Sequence, residues 1–143
     1  MVSGISEVMY LSEITDPGNI IVPGSLYDFN GTYADAGYIA PGSGYWVRAY
    51  ETGDVTFTKA ATAAKEREFQ RFTDVNTLQV TNGNGHKTMP LYFGQTIADE
   101  KERLSYSMPP EPPQGAFDSR FANNMRYIED AGVLLIQDES KEL

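Results

Sequence analysis

The chain has 143 residues, 20 acidic against 11 basic side chains, a formal charge of -9 and no cysteine. At 15.8 kDa it suits one domain, or two very small ones, and a folded chain of this mass would expose roughly 7,000 Å² and bury enough surface for one real core. The missing thiols exclude disulfide frameworks and thiolate chemistry, the acidic balance argues against nucleic acid, and no apolar run approaches the roughly 20 residues of a membrane span.

Residues 1–20 contain Glu7, Glu13 and Asp16 and no apolar core, so no signal peptide is expected there. Asp16-Pro17-Gly18-Asn19 places Pro where φ is preset and Gly where φ must be positive, a type II turn. From there the apolar rhythm is two residues long, the signature of half-buried strands. Tyr27 and Phe29 alternate with Asp28 and Asn30; Tyr45, Val47 and Ala49 with Trp46, Arg48 and Tyr50; Val55 and Phe57 with Thr56 and Thr58. Asn30-Gly31, Gly42-Ser43-Gly44 and Thr52-Gly53-Asp54 punctuate these runs, a spacing of turns that suits a sandwich or barrel.

Residues 60–72 hold four alanines followed by Lys65, Glu66, Arg67 and Glu68 without Gly or Pro, and are expected to form a short connecting helix. Asn82-Gly83-Asn84-Gly85 then joins two alternating runs, so residues 76–94 are expected to form a β-hairpin. Met89, Leu91 and Phe93 should share one face opposite Tyr92, with Pro90 marking an edge strand. Residues 109–113 read as extended polyproline-like backbone. That segment links the hairpin to a last β-rich piece over 116–121, a turn near Asn123-Asn124 and a strand over 133–136. Phe117 and Phe121 are expected in the core, and Asp118 with Arg120 as a surface ion pair. The tail from Glu129 holds five acidic residues and one lysine and should fray beyond Gln137.

Few groups are arranged for reaction. Ser43 lacks the flanking glycines of a nucleophile elbow and reads as a turn residue. His86, the sole histidine, follows the hairpin turn and reads as exposed. Asp28 and Glu51 could flank a cleft as a glycosidase pair, but twenty acidic residues make chance pairs the rule. Asp28, Asn30 and Asp35 supply oxygen donors for a calcium ion stapling a loop, although Asx residues at turns ordinarily serve the backbone. The unusual feature is aromatic density: Tyr27, Phe29, Tyr33, Tyr38, Tyr45, Trp46 and Tyr50 account for seven of the 17 aromatics. Alternation sends about half of such a set inward. If Tyr45 and Val47 point in, Trp46 and Tyr50 face out, and these two with Tyr33 and Tyr27 are the candidates for stacking a ligand.

Three segments resemble a known family. Ala40-Pro41-Gly42-Ser43-Gly44-Tyr45-Trp46-Val47 resembles the "pGkGYWV" signature of secreted surface proteins of Bacteroidetes-like bacteria. Leu91-Tyr92-Phe93-Gly94, followed by the run from Tyr106 through Pro109-Pro110-Glu111-Pro112-Pro113 to Phe117-Asp118-Ser119-Arg120-Phe121, is similar to their "LYFG…YeLPPlPPaGaFDvRF" stretch. The resemblance spans roughly residues 20–137 and keeps the order of the motifs. It implies a β-rich module at the cell surface, ahead of a type IX sorting domain, with no assigned catalytic residue. The chain departs from that pattern in having no signal peptide, no preceding "WNLIGLP"-like strand and no sorting domain. It therefore reads as a fragment, or as a free-standing descendant that could be cytoplasmic and homodimeric.

The expectation is an all-β chain: one module over residues 1–143, a sub-boundary at 60–74, and an antiparallel, jelly-roll-like β-sandwich with at most one short helix near 60–72. Its expected role is a non-enzymatic structural or interaction module without a resident cofactor, meeting protein or polysaccharide at the cell surface. A carbohydrate-binding module is the alternative, and a small hydrolase the third reading.

Overall fold

The computed structural model describes residues 1–57 and 75–129. The helix and sub-boundary expected within 60–74 and the strand expected at 133–136 lie outside the described residues. The described chain is β-rich, with two small sheets and a single five-residue α-helix among the described residues.

Strands β1 (Tyr27–Phe29) and β2 (Tyr33–Asp35) pair antiparallel with Phe29 opposite Tyr33. Gly31, at φ 79°, turns the loop between them at little steric cost. On its other side β1 meets the run around residue 46: Tyr27 and Trp46 exchange both backbone hydrogen bonds at 2.9 Å. That pairing continues as Val22 N–H to Arg48 O and Tyr50 N–H to Ile20 O. Residues 23–25 interrupt it. The Ser25 hydroxyl fills the gap, donating to Val22 O at 2.7 Å and accepting from Arg48 N–H at 3.0 Å. The N-terminal segment adds single ladder contacts, Val2 to Tyr45, Met9 to Ile39 and Thr15 to Thr56.

The turn at Asp16-Pro17-Gly18-Asn19 forms, closed by Asn19 N–H to Asp16 O, but the positive φ falls on Asn19 (56°) and not on Gly18. The Asp16 carboxylate explains the difference. It accepts from Ile20 N–H and Ile21 N–H, both at 3.0 Å, and so draws the chain into a left-handed step one residue later.

Strands β3 (Asn76–Leu78) and β4 (Leu91–Phe93) form the expected hairpin. Its turn is closed by Asn82 N–H to His86 O, with Asn82 Oδ1 accepting from the N–H groups of Asn84 and His86. Leu78 faces Leu91 and Thr81 faces Lys87. Gln79 and Val80 therefore oppose Thr88, Met89 and Pro90, and the extra residue is a bulge. Pro90 thus marks the bulge rather than an edge, because β4 is the middle strand of the sheet. Its other neighbour, β5 (Tyr127–Ile128), runs parallel to it, Tyr92 opposite Tyr127, so the sheet is mixed and not wholly antiparallel.

The helix α1 (Glu100–Leu104) was not anticipated from the periodicity. It is too short for an amphipathic signature, and what fixes it is local: Asp99 caps it by accepting from Lys101 N–H at 2.9 Å. Residues 116–120 contain no strand. Beyond them Phe121 and Met125 pair across a tight turn with Asn124 at φ 57°.

Among the described residues the core is three adjoining clusters. The first gathers Met9, Ile14, Ile21, Leu26, Ile39 and Tyr45; the second Tyr27, Tyr33, Met89, Leu91 and Met108; the third Tyr92, Ile97, Tyr106 and Tyr127. Strand alternation sends neighbouring residues to different clusters: Leu26 to the first and Tyr27 to the second, Leu91 to the second and Tyr92 to the third. Tyr92 is therefore buried rather than facing away from the core with Pro90.

Candidate functional site

The second and third clusters meet at Arg126, whose side chain is 0% exposed. Its guanidinium carbon lies 5.9 Å from the centre of the Tyr27 ring and 5.7 Å from that of Tyr92, within cation–π range of both. Nη1 donates to Asp35 Oδ1 at 2.7 Å and Nη2 to Pro90 O at 3.3 Å. The Arg126 backbone N–H donates instead to Tyr106 O at 2.7 Å, which leaves the Pro90 carbonyl to the side chain. Burial disfavours the guanidinium charge, but Asp35 and the Tyr27 hydroxyl outweigh it and hold the Arg126 pKa above its ordinary value.

A second arginine secures the proline-rich run. Arg120 Nε donates to Asp118 Oδ2 at 2.6 Å and Nη1 to Pro109 O at 2.7 Å. The two side chains are only 9% and 17% exposed, so the expected surface ion pair is largely enclosed. An extended proline segment makes no internal hydrogen bonds and leaves its carbonyls open. Tyr33 takes the next one, donating to Pro110 O at 2.9 Å, while Tyr27 donates to Ser107 O at 3.2 Å. The run over 109–113 is thus docked against the β1–β2 hairpin rather than being a free linker, and Phe117 N–H to Gly31 O at 2.8 Å completes the attachment. Burial raises the Tyr33 pKa, Arg120 lowers it and Asp118 raises it, with a net upward shift.

These contacts relocate the expected binding residues. Tyr27 and Tyr33 are buried core tyrosines, contrary to the expectation that they offer faces to a ligand. Tyr45 points into the first cluster as expected. Trp46, on the opposite face of its strand, is half-buried against the second cluster, so its ring is partly covered although Arg48 on the same face is exposed. Tyr50 is half-buried with the Lys101 ammonium 5.3 Å from its ring centre. Phe117 and Phe121 are half-buried, Phe121 against the second cluster.

Of the calcium donors, Asp35 already holds the Arg126 guanidinium and Asn30 is exposed at the hairpin tip. Burial, then the neighbouring Asp35, raises the Asp28 pKa, which weakens Asp28 as a carboxylate ligand. Among the described residues no three His, Cys, Asp or Glu side chains gather where they could hold a metal ion. His86 is exposed, with Nδ1 at 3.5 Å from Asn82 Nδ2, and Ser43 and Glu51 are also exposed.

Among the described residues an exposed aromatic pair lies elsewhere. Met9 and Ile39 exchange backbone hydrogen bonds at 2.9 and 2.7 Å with both side chains buried. Their neighbours Tyr10 and Tyr38 consequently meet on the outer face, 49% and 48% exposed, with ring centres 6.0 Å apart at 65°. Val8 is exposed beside them. Sequence reading missed this pair because its register depends on closing a loop of about thirty residues, which no local pattern encodes.

No membrane-length apolar helix occurs among the described residues. Comparison of the chain with protein-family models, with curated proteins and with solved structures gives no match.

Proposed function

We propose that the chain is a non-enzymatic structural and interaction module of a bacterial cell-surface or secreted protein, its sheets forming the layers of a β-sandwich. One observation carries this reading: four long polar side chains are committed to internal ties. Arg126, Arg120, Tyr27 and Tyr33 each donate to the main-chain carbonyl of a distant segment. Such ties stiffen an irregular β module whose short strands supply few ladder bonds, and stiffness is what a spacer or scaffold requires. Its partners are other surface proteins or polysaccharide, and the placement at the surface rests on the motif resemblance. The test is protease shaving of intact cells of the encoding organism. A surface module is cleaved from unlysed cells; a chain that resists until lysis is not one.

Carbohydrate binding is the second reading, favoured by the exposed Tyr10–Tyr38 pair. Tyrosine presents a flat apolar face with a polar handle, suited to sugar rings, and the buried Met9–Ile39 ladder fixes the pair before any ligand arrives. Calorimetric titration with neutral polysaccharides should give binding that Tyr10→Ala removes. Binding that survives in Tyr10→Ala and Tyr38→Ala moves the site elsewhere, and no binding leaves the scaffold reading alone.

A further inference from the structure

We infer that Asn30 is a site of spontaneous backbone modification, converting to aspartate and isoaspartate at the tip of the β1–β2 hairpin. Three asparagines in the chain precede glycine: Asn30, Asn82 and Asn84. An Asn-Gly step is open to attack by the glycine nitrogen on the asparagine side chain, since glycine has no Cβ to obstruct ring closure. The structure separates the three.

Asn82 is held. Its Oδ1 accepts from Asn84 N–H at 3.0 Å and from His86 N–H at 2.9 Å, so the side chain must break both bonds before it can turn to react. Asn84 is exposed, but the nitrogen that would attack it, on Gly85, donates its hydrogen to Asn82 O at 3.1 Å. Asn30 has neither restraint. Its side-chain amide is exposed and has no partner among the described residues, and neither has the Gly31 N–H. A Cβ built on Gly31, Gly83 or Gly85 would meet nothing within 4 Å, so space is alike at the three and the hydrogen bonds alone set Asn30 apart.

In the reaction the Gly31 nitrogen gives its proton to hydroxide and bonds to Asn30 Cγ. The Cγ–Nδ2 bond breaks and the nitrogen leaves as ammonia, its extra proton coming from water. Water then opens the ring at either carbonyl, yielding aspartate or isoaspartate, with nothing oxidised or reduced. Isoaspartate lengthens the main chain between Phe29 and Gly31. That shift acts on the Phe117 N–H to Gly31 O bond and, through β2, on the Tyr33 tie to Pro110. The modification therefore loosens the proline-rich run from the hairpin.

The test uses the full chain held in mildly alkaline buffer, with and without denaturing guanidinium, followed by proteolysis and peptide fragmentation in the mass spectrometer. In the folded protein Asn30 should convert several-fold faster than Asn82 and Asn84, and in guanidinium the three rates should converge. Asn30→Gln should remove the early product while leaving the slower ones. Conversion of Asn82 or Asn84 as fast as Asn30 in the folded protein overturns the assignment. So does an Asn30 slowed by folding as much as the other two.

Discussion

Arg126 Nη1 donates to Asp35 Oδ1 at 2.7 Å across 91 residues of sequence, and the two partners differ sharply in exposure: the arginine side chain is 0% accessible and the aspartate 44%. That asymmetry predicts an asymmetric mutational response. Asp35→Ala leaves a buried guanidinium without its carboxylate counter-charge and should cost about 3 kcal/mol, the lower end for breaking a buried pair because Asp35 is partly hydrated and Pro90 O and the two rings remain. Arg126→Met leaves a carboxylate that water can reach and keeps most of the packing between Tyr27 and Tyr92. The double variant should therefore be more stable than Asp35→Ala alone. Urea unfolding of the four proteins supplies the cycle, and additive losses would show that the pair does not couple.

A pH dependence follows one position along the same hairpin. Burial, then Asp35, raises the Asp28 pKa above its ordinary 3.8. The folded chain therefore binds this proton more tightly than the unfolded chain does. The stabilisation is complete below the ordinary value and is lost as pH rises through the raised folded value. Asp28→Asn, neutral throughout, should match the parent in acid and exceed it at neutral pH. The gain should stay under about 1 kcal/mol, since solvent screens this side chain. Urea midpoints for both proteins from acid to neutral pH check the sign, and parallel curves would refute it.

What could be read in the sequence was local, and what could not depended on distant closure. The hairpin over 76–94 was legible because Asn82 and the glycines around it carry turn chemistry in a few consecutive residues. Tyr45 could be placed inward by alternation, but the same alternation misplaced Trp46. Alternation assumes one core and one solvent face, and here the opposite face of that strand packs against a second cluster. Met125-Arg126-Tyr127-Ile128 did hold a signal, a lone cation among apolar residues. Its partner Asp35 could not be named without the fold. The Pro90 bulge was hidden for a related reason: a proline in a bulge before a central strand and one on an edge strand look the same until the neighbouring strand is placed.

Asn19 tests how well turn chemistry is understood. At φ 56° it occupies the left-handed region that the sequence pattern assigned to Gly18. Asn19→Ala should cost up to about 1 kcal/mol, because alanine lacks the short polar side chain that lets asparagine tolerate that region, whereas Asn19→Gly, which removes the Cβ altogether, should be neutral or slightly stabilising. Thermal unfolding of the two variants side by side is sufficient. Equal melting temperatures would mean that the turn relaxes out of the left-handed conformation when asparagine is lost.

Ser25 carries the sharpest prediction about buried polarity. Its hydroxyl bridges the interruption at residues 23–25 by donating to Val22 O and accepting from Arg48 N–H, and the residue is buried. In Ser25→Ala both backbone groups lose this partner, Val22 O at a buried position and Arg48 N–H at a part-buried one. The loss should be about 1–3 kcal/mol, the desolvation penalty of a polar group left unpaired, although only one oxygen atom is removed. Ser25→Thr keeps the hydroxyl but adds a methyl group to a packed site, so it restores the bond at a packing cost of about 1–3 kcal/mol. Hydrogen exchange separates the two effects: the Arg48 amide should exchange much faster in Ser25→Ala and stay protected in Ser25→Thr. Unchanged protection of that amide in the alanine variant would show that the serine is not its acceptor.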